Sequence, residues 1–436
     1  MNRIVLIGNG FDLAHGLPTS YKNFLDDYWN QFFDKMYDNY KKCGEEEYED
    51  DLIRVQFNQT GRIVILSIED SYALPTLGTA LEKRVNDYKD AYKETNNQVL
   101  SKGISIKFKN RFFKRINSVL GLQKWVDIEN EYYVVLKNIY LKEIKQSPDE
   151  LNEEFRCIEN QLMKYLSEIQ EKQISARLIK KEIWDKIIEP LRRDDISING
   201  RNVFDQFLEK RLEDAQDEAK VRGLLHKYGC ETLSERGNVE HYRELIEAYG
   251  VNRLKRLFAL DPHAYFFWPE DILFLNFNYT NTASLYISSK NRFKENHIHG
   301  ELNNPENPII FGYGDEMDES YKKIVELNNN KYLENIKSIC YLKTDNYRNL
   351  LSFIDSAPYQ IIILGHSCGN SDRTMLNTLF EHPNCLSIKP YYYLKDDGSD
   401  NYIDIVQNIS RDFSDPKLMR DRVVNQTYCK PLVEGS

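Results

Sequence analysis

The sequence predicts an α/β protein in which a parallel β-sheet is interrupted by a large α-helical insertion. Three features carry that reading. First, the apolar run Ile4-Val5-Leu6-Ile7 passes directly into a Gly-containing turn. A segment then follows in which Phe24, Leu25, Tyr28, Phe32 and Met36 keep a helical repeat. Second, residues from about 80 to 255 are rich in Lys, Glu, Leu, Ile and Tyr and poor in Pro and Gly. Third, from residue 271 short apolar runs alternate with polar loops, as strands buried on both faces require. The expected division is 1–42 for the first strand, loop and helix of the α/β core. Residues 43–265 form a mainly helical insertion, and 266–436 complete the core.

Composition bounds the function. The chain has 436 residues, 41% hydrophobic and 29% charged, which is ordinary for a globular protein. Its 29 Tyr and 21 Phe read mostly as core. A net charge of −10 gives no global case for nucleic-acid binding. The 7 Cys, from Cys43 to Cys429, form no C-x-x-C pair, so neither a zinc ribbon nor a thioredoxin motif is present. An odd, dispersed set fits reduced thiols in a cytoplasmic protein. The N-terminal apolar run does not read as a signal peptide, and no stretch is apolar enough to span a membrane.

Along the chain, residues 20 to 42 predict one amphipathic helix, with Pro18 and Thr19 at its start. The acidic run from Glu45 to Asp51 reads as a solvated loop or helix end. Helices are expected over 128–146, 150–172, 174–190, 203–222 and 238–258. The segment Lys102 to Arg115 interleaves six cations with Phe108, Phe112 and Phe113. That mixture can bind a nucleic-acid backbone, but a solvated face over an aromatic core stripe explains it more simply. Asp127, Glu129 and Glu131 stand where a helix start favours acids, and Asp127 or Glu129 can point into a neighbouring site. Strands are expected at 4–7, 272–275, 308–312, 359–364 and 386–394.

In parallel sheets ligands bind at the carboxyl ends of strands, so the loops after residues 7, 275, 298, 312 and 364 are the informative ones. The first is Gly8-Asn9-Gly10-Phe11-Asp12, continuing to Gly16 and Pro18. Its glycines can bring backbone N–H groups close to a phosphate; a purely structural turn uses the same residues. Asn276 and Asn278 share a face and can hold a ribose hydroxyl or a water, or merely cap a helix. His299 beside Gly300 suits a general base. His297 lies on the same face, but no spacing supplies a third ligand, so no metal is expected. The last loop, Gly365-His366-Ser367 to Asp372, again reads as strand, turn and helix.

These motifs resemble two families. Gly8, Gly10, Gly16 and Pro18 match the spacing of the first nucleotide-binding loop of sirtuins, with Asp12 where sirtuins have Ser. Asn278-Tyr279 resembles the sirtuin Asn element, His299-Gly300 the catalytic His-Gly, and Gly365-His366-Ser367 through Asp372 the Gly-Tyr-Ser…Asp element of bacterial sirtuin-like domains. Over nearly its whole length the chain resembles the bacteriophage abortive-infection AbiH family. The matching motifs are Ile7 to Leu13, Asn276 to Thr280, His297 to Gly300, Phe311 to Asp315 and Gly365 to Asp372. The implied fold is a sirtuin-like, Rossmann-type parallel sheet. The implied ligand is NAD or a related nucleotide.

The implied roles follow. Gly8, Asn9, Gly10, Phe11, Gly16 and Pro18 would build the phosphate loop, with Asp12, Asn276, Gly300, Gly365, His366 and Ser367 lining the nucleotide. Asn278 would place ribose or water, His299 would act as base, and Asp372 would hold ribose hydroxyls or orient His299. The four-Cys zinc module of sirtuin deacylases is missing, so transfer to water is expected instead of deacylation. The expected function is an anti-phage effector that hydrolyses an N-glycosidic bond, held inactive or assembled by its helical insertion until a phage-derived trigger arrives. A homo-oligomer fits that picture. The alternatives are a nuclease or RNA-targeting toxin using Asp12, His299, Asp315 and Asp372, or a non-catalytic nucleotide sensor or scaffold.

Overall fold

The computed structural model describes residues 1–58, 63–66, 103–123, 127–228, 244, 248, 267–288, 291 and 293–434. Strand β1 (Asn2–Ile7) leads into the short helix α1 (Asn9–Ala14) and then α2 (Tyr21–Cys43). Four strands follow: β2 (Glu47–Glu49), β3 (Ile53–Asn58), β4 (Ile63–Leu66) and β5 (Gly103–Phe108). Helices α3 (Arg111–Gln123), α4 (Ile128–Tyr140), α5 (Pro148–Gln173), α6 (Lys181–Ile187), α7 (Arg201–Asp214) and α8 (Glu218–Lys227) come next. The chain then returns through β6 (Ile272–Asn276), β7 (Lys294–His297), α9 (Glu319–Glu326), α10 (Lys337–Cys340) and α11 (Asn346–Ser356). It ends with β8 (Tyr359–Leu364), α12 (Arg373–Phe380), β9 (Cys385–Tyr391), α13 (Tyr402–Asp412) and α14 (Pro416–Arg422).

The main sheet has five strands in the order β7-β6-β1-β8-β9, and every pairing is parallel. Strand β1 is central and wholly buried. Its side chains alternate between two cores: Val5 and Ile7 join Phe274, Ile362 and Leu364 on one face. Ile4 and Leu6 join Leu273, Leu275, Ile361 and Ile363 on the other. Each such burial contributes roughly 1.5–3 kcal/mol before entropy, so a continuous apolar run is the expected sequence for this strand. The chain leaves β1 toward β6 on one side and later toward β8 on the other. The order therefore reverses between β1 and β8, where doubly wound sheets open a crevice at their carboxyl edge.

Several expectations need correction. Residues 308–312 form no strand: Pro308 offers no N–H, and Ile310 N makes one bond, to the His299 carbonyl at 2.8 Å. The stretch expected to be mainly helical also holds a second sheet, ordered β2-β3-β5-β4. Ile53, Val55 and Phe57 alternate inward there, while Arg54 and Gln56 face out. Part of the acidic run is β2 rather than a loop or helix end. The segment 203–222 is two helices, because Asp217 caps a new start by accepting from Ala219 N at 2.9 Å. Within 174–190 a 3-10 turn at Ala176–Leu178 precedes the short helix α6. The helix expected at 238–258 lies outside the described residues apart from 244 and 248. Phe108, Phe112 and Phe113 are buried in an aromatic core with Trp29 and Phe33, as the core-stripe reading expects.

The helical region is bound to the sheet both on one face and at the carboxyl edge. On one face Arg3 sends Nη2 to Gln360 Oε1 at 2.7 Å and Nη1 to the Ile187 carbonyl at 2.9 Å. Lys389 holds Asp195 at 2.9 Å and Glu189 at 3.1 Å beside it. At the carboxyl edge, Phe155 of α5 stacks on Phe311 with centroids 4.6 Å apart, and Tyr133 of α4 stacks on Tyr313 at 4.0 Å.

Glycines set the geometry at the switch point. Gly365 has φ +76°, and a Cβ there would lie 2.1 Å from Phe11 N. Gly398 has φ +81° with nothing within 4 Å. Gly398→Ala should therefore cost about 1–2 kcal/mol from backbone strain alone. Gly365→Ala should cost more than about 4 kcal/mol, because two loops must separate. Thermal or urea midpoints of the two variants, measured side by side, check the difference.

Candidate functional site

Four loops meet above the carboxyl edge of the sheet. The turn after β1 is locked against the turn after β8. Gly10 N donates to the Gly365 carbonyl at 2.8 Å, Gly8 N to the Leu364 carbonyl at 3.3 Å, and Phe11 N to the Gly8 carbonyl at 2.8 Å. A Cβ on Gly8 would lie 2.5 Å from His366 Cα. These glycines thus permit two backbones to touch, and their N–H groups are engaged with protein carbonyls. Gly16, at φ +80°, ends α1, and the Pro18 carbonyl accepts from Tyr165 OH of α5 at 2.6 Å. Asn9 Oδ1 accepts from Thr19 Oγ1 at 2.6 Å, and the Phe11 ring is core, packed on His15 and Tyr286.

Asp12 and the loop after β6 make one polar pole. Thr280 Oγ1 donates to Asp12 Oδ2 at 2.6 Å, while Asp12 Oδ1 is buried without a hydrogen-bond partner. Burial pushes the Asp12 carboxyl up to about 6, moderated by the hydroxyls and amide around it. Asn276 Oδ1 accepts from Asn278 N at 2.9 Å, and Asn278 Nδ2 donates to the Gly8 carbonyl at 3.1 Å. Asn276 therefore shapes the turn, and Asn278 ties it to the glycine loop.

The second pole is charged and buried. Lys337, at the start of α10, has no exposed side-chain surface. Its Nζ lies 2.8 Å from Asp372 Oδ1 and 3.0 Å from Glu129 Oε2. His299 Nε2 lies 3.1 Å from the same Asp372 oxygen and 3.2 Å from Tyr341 OH. His366 Nε2 is 3.6 Å from Asp372 Oδ2, and its Nδ1 accepts from Cys368 N at 3.0 Å. Glu129 Oε1 accepts from Gly312 N at 3.1 Å, with Tyr279 OH at 3.5 Å. Phe277 packs on the charged pole, its ring edge-on to His299 at 4.9 Å and to His366 at 4.4 Å. Gly300 turns the chain at φ +85°, where a Cβ would meet the Pro308 carbonyl at 2.2 Å.

The charges sort by position. Burial alone would raise Asp372, but Lys337 and then His299 outweigh it and hold this carboxyl well below its usual range. Burial, helped by the Lys337 charge, lowers His299 to about 4 against the pull of Asp372. The imidazole is therefore neutral near pH 7. Donating from Nε2 to Asp372 assigns its hydrogen to that nitrogen and leaves Nδ1 as the base. Glu129 is raised to about 7, chiefly by burial, because Asp372 competes for the same ammonium. Burial also opposes charge on His297, but Glu295 at 3.0 Å outweighs it and raises the group. His297 and His299 thus have separate partners, and no group of three or more metal-ligating side chains assembles among the described residues.

The model described as bacteriophage abortive infection AbiH matches residues 4–393. This chain belongs to that family. It is an abortive-infection, anti-phage protein. No curated protein and no solved structure matches it, and the likeness to sirtuins rests on the short motifs alone. The AbiH match spans both the parallel sheet and the helical region, and both poles lie within it. Among the described residues no helix is long and apolar enough to cross a membrane.

The AbiH fold brings His299, His366 and Asp372 into one cluster and leaves Asn278 at the other pole. Ser367 is exposed, its carbonyl taken by Asn408 Nδ2 at 2.7 Å. Lys337 and Tyr341 are the participants that motif reading misses. In sequence Lys337 looks like any helix lysine, and only the packing of Ile336 and Cys340 hints that this short helix is buried.

The raised Asp12 has a thermodynamic consequence. Its folded-state value lies above the unfolded one, so folded protein keeps a proton that unfolded protein releases. Stability should fall as pH rises from about 4 to about 6, by up to about 3 kcal/mol. Asp12→Asn should flatten that slope. Denaturant midpoints of variant and wild type across this range check it.

Proposed function

We propose that this AbiH protein defends against phage by binding NAD or a related nucleotide at the β1–β8 switch point and hydrolysing its N-glycosidic bond. The observation that carries the reading is the neutral His299 held 3.1 Å from an Asp372 that Lys337 keeps ionised. A buried neutral imidazole oriented by a carboxylate is the arrangement of a general base. His299 Nδ1 takes a proton from water as its oxygen bonds to the ribose C1′. The C1′–N bond breaks, and its electron pair leaves on nicotinamide, which departs neutral. Asp372 orients the imidazole and offsets its charge once protonated. The unpartnered Asp12 Oδ1 suits a ribose hydroxyl, and Asn278 neighbours it as a second polar contact.

This structure is a closed form under that reading. The N–H groups of Gly8 and Gly10 are engaged by the Leu364 and Gly365 carbonyls, so phosphates reach them only when the Gly365 loop moves away. A phage-derived trigger acting through the helical region would supply that movement. The same engaged N–H groups favour a second reading, a sensor or scaffold without turnover.

Nicotinamide release from NAD separates them, measured on purified protein and in phage-infected cells. Wild type should consume NAD in at least the infected cells. His299→Ala and Asp372→Asn should lower the rate by about 10²–10⁴-fold, and Asn278→Ala should raise KM. Protection from phage with NAD intact would overturn the hydrolase reading.

A further inference from the structure

Glu129 is out of place for a helix-start acid. It lies in the first turn of α4, which Asp127 caps by accepting from Asn130 N at 3.0 Å. Its own carboxylate is not spent on the helix. It reaches across to the sheet and is held on both oxygens, by the Gly312 N–H and by the Lys337 ammonium. One ammonium, one backbone N–H and a nearby tyrosine hydroxyl converge on a single oxyanion. That donor set is a phosphate receptor by chemistry.

We propose that Lys337 Nζ and the Gly312 N–H, with Tyr279 OH in reach, form a binding site for one singly charged phosphate, which the Glu129 carboxylate fills in the resting protein. The inference does not depend on which bond the neighbouring His299 helps to break.

Lys337 is fully covered, and the side chains of Glu129 and Asp372 retain 10% and 9% of their surfaces. Glu129 is the weaker acid of the two, raised to about 7, and gives way first.

Charge selects the ligand. Lys337 and Asp372 already balance, so the site replaces one negative charge with one. A phosphodiester, or an inner phosphate of a dinucleotide, matches; a doubly charged terminal phosphate would leave an uncompensated charge. Helix α4 itself stays seated through the Tyr133–Tyr313 stack and through Lys137 Nζ at 3.2 Å from Asp318.

The test vacates the site. Purified wild type, Glu129→Ala and Glu129→Ala/Lys337→Met are melted with and without dimethyl phosphate, with formate as a second small oxyanion. Folding is checked by circular dichroism, and Glu129→Gln replaces Glu129→Ala if the latter does not fold. At about ten times its Kd, dimethyl phosphate should raise the midpoint of the Glu129 variant by about 1.5 °C. Wild type and the Lys337 variant should respond several-fold less. Equal responses in all three proteins, or none in a folded Glu129 variant, would overturn the proposal. ADP-ribose and a short single-stranded oligonucleotide then identify the source of the phosphate. At least tenfold tighter binding of one over the other by the Glu129 variant assigns it, and binding of neither counts against the site.

Discussion

A buried ammonium needs anions beside it, and Lys337 recruits them from two distant parts of the chain. Leaving such a charge unpaired costs several kcal/mol, so the chain must bring both carboxylates to it. Asp372 arrives on the loop after β8, and Glu129 arrives on the first turn of a helix that the chain makes before returning to the sheet. The contact therefore joins the α/β core to the helical region through charge. The stacked pairs Phe155–Phe311 and Tyr133–Tyr313 then give the junction its apolar contact. The same ammonium holds Asp372 ionised beside His299 and, together with burial, keeps the imidazole neutral against the pull of that carboxylate.

The second constraint is the meeting of two glycine turns at the sheet's switch point. Doubly wound sheets usually leave a crevice there. In this chain Gly8, Gly10 and Gly365 let the turns close on each other, and their backbone groups satisfy one another. The lack of Cβ at these glycines allows the contact between the loops.

Much of the core is legible in the sequence. Strands buried on both faces must be continuously apolar, which marks 4–7, 272–275 and 359–364. The loop after 359–364 carries His366 and Asp372, which meet in space with His299; His299 itself follows β7, whose Lys294–His297 holds no apolar run. The run 308–312 misleads because apolar content signals burial without specifying pairing, and Pro308 and Gly312 instead fit it against the His299 turn and Asn335. The second sheet is hidden by charged surroundings, although Ile53, Val55 and Phe57 keep a strand's alternation. Lys337 is beyond local reading altogether. Its burial follows from partners that lie 35 and 208 residues away in sequence.

The most direct measurement is phage plating on cells carrying wild type or His299→Gln, with soluble protein matched and the variant shown to be folded. If the His299–Asp372–Lys337 cluster is the working centre, plaque formation on the variant should return to the level of cells without the protein. Full protection by a folded His299→Gln variant would contradict it and reduce the cluster to a structural bridge between sheet and helices.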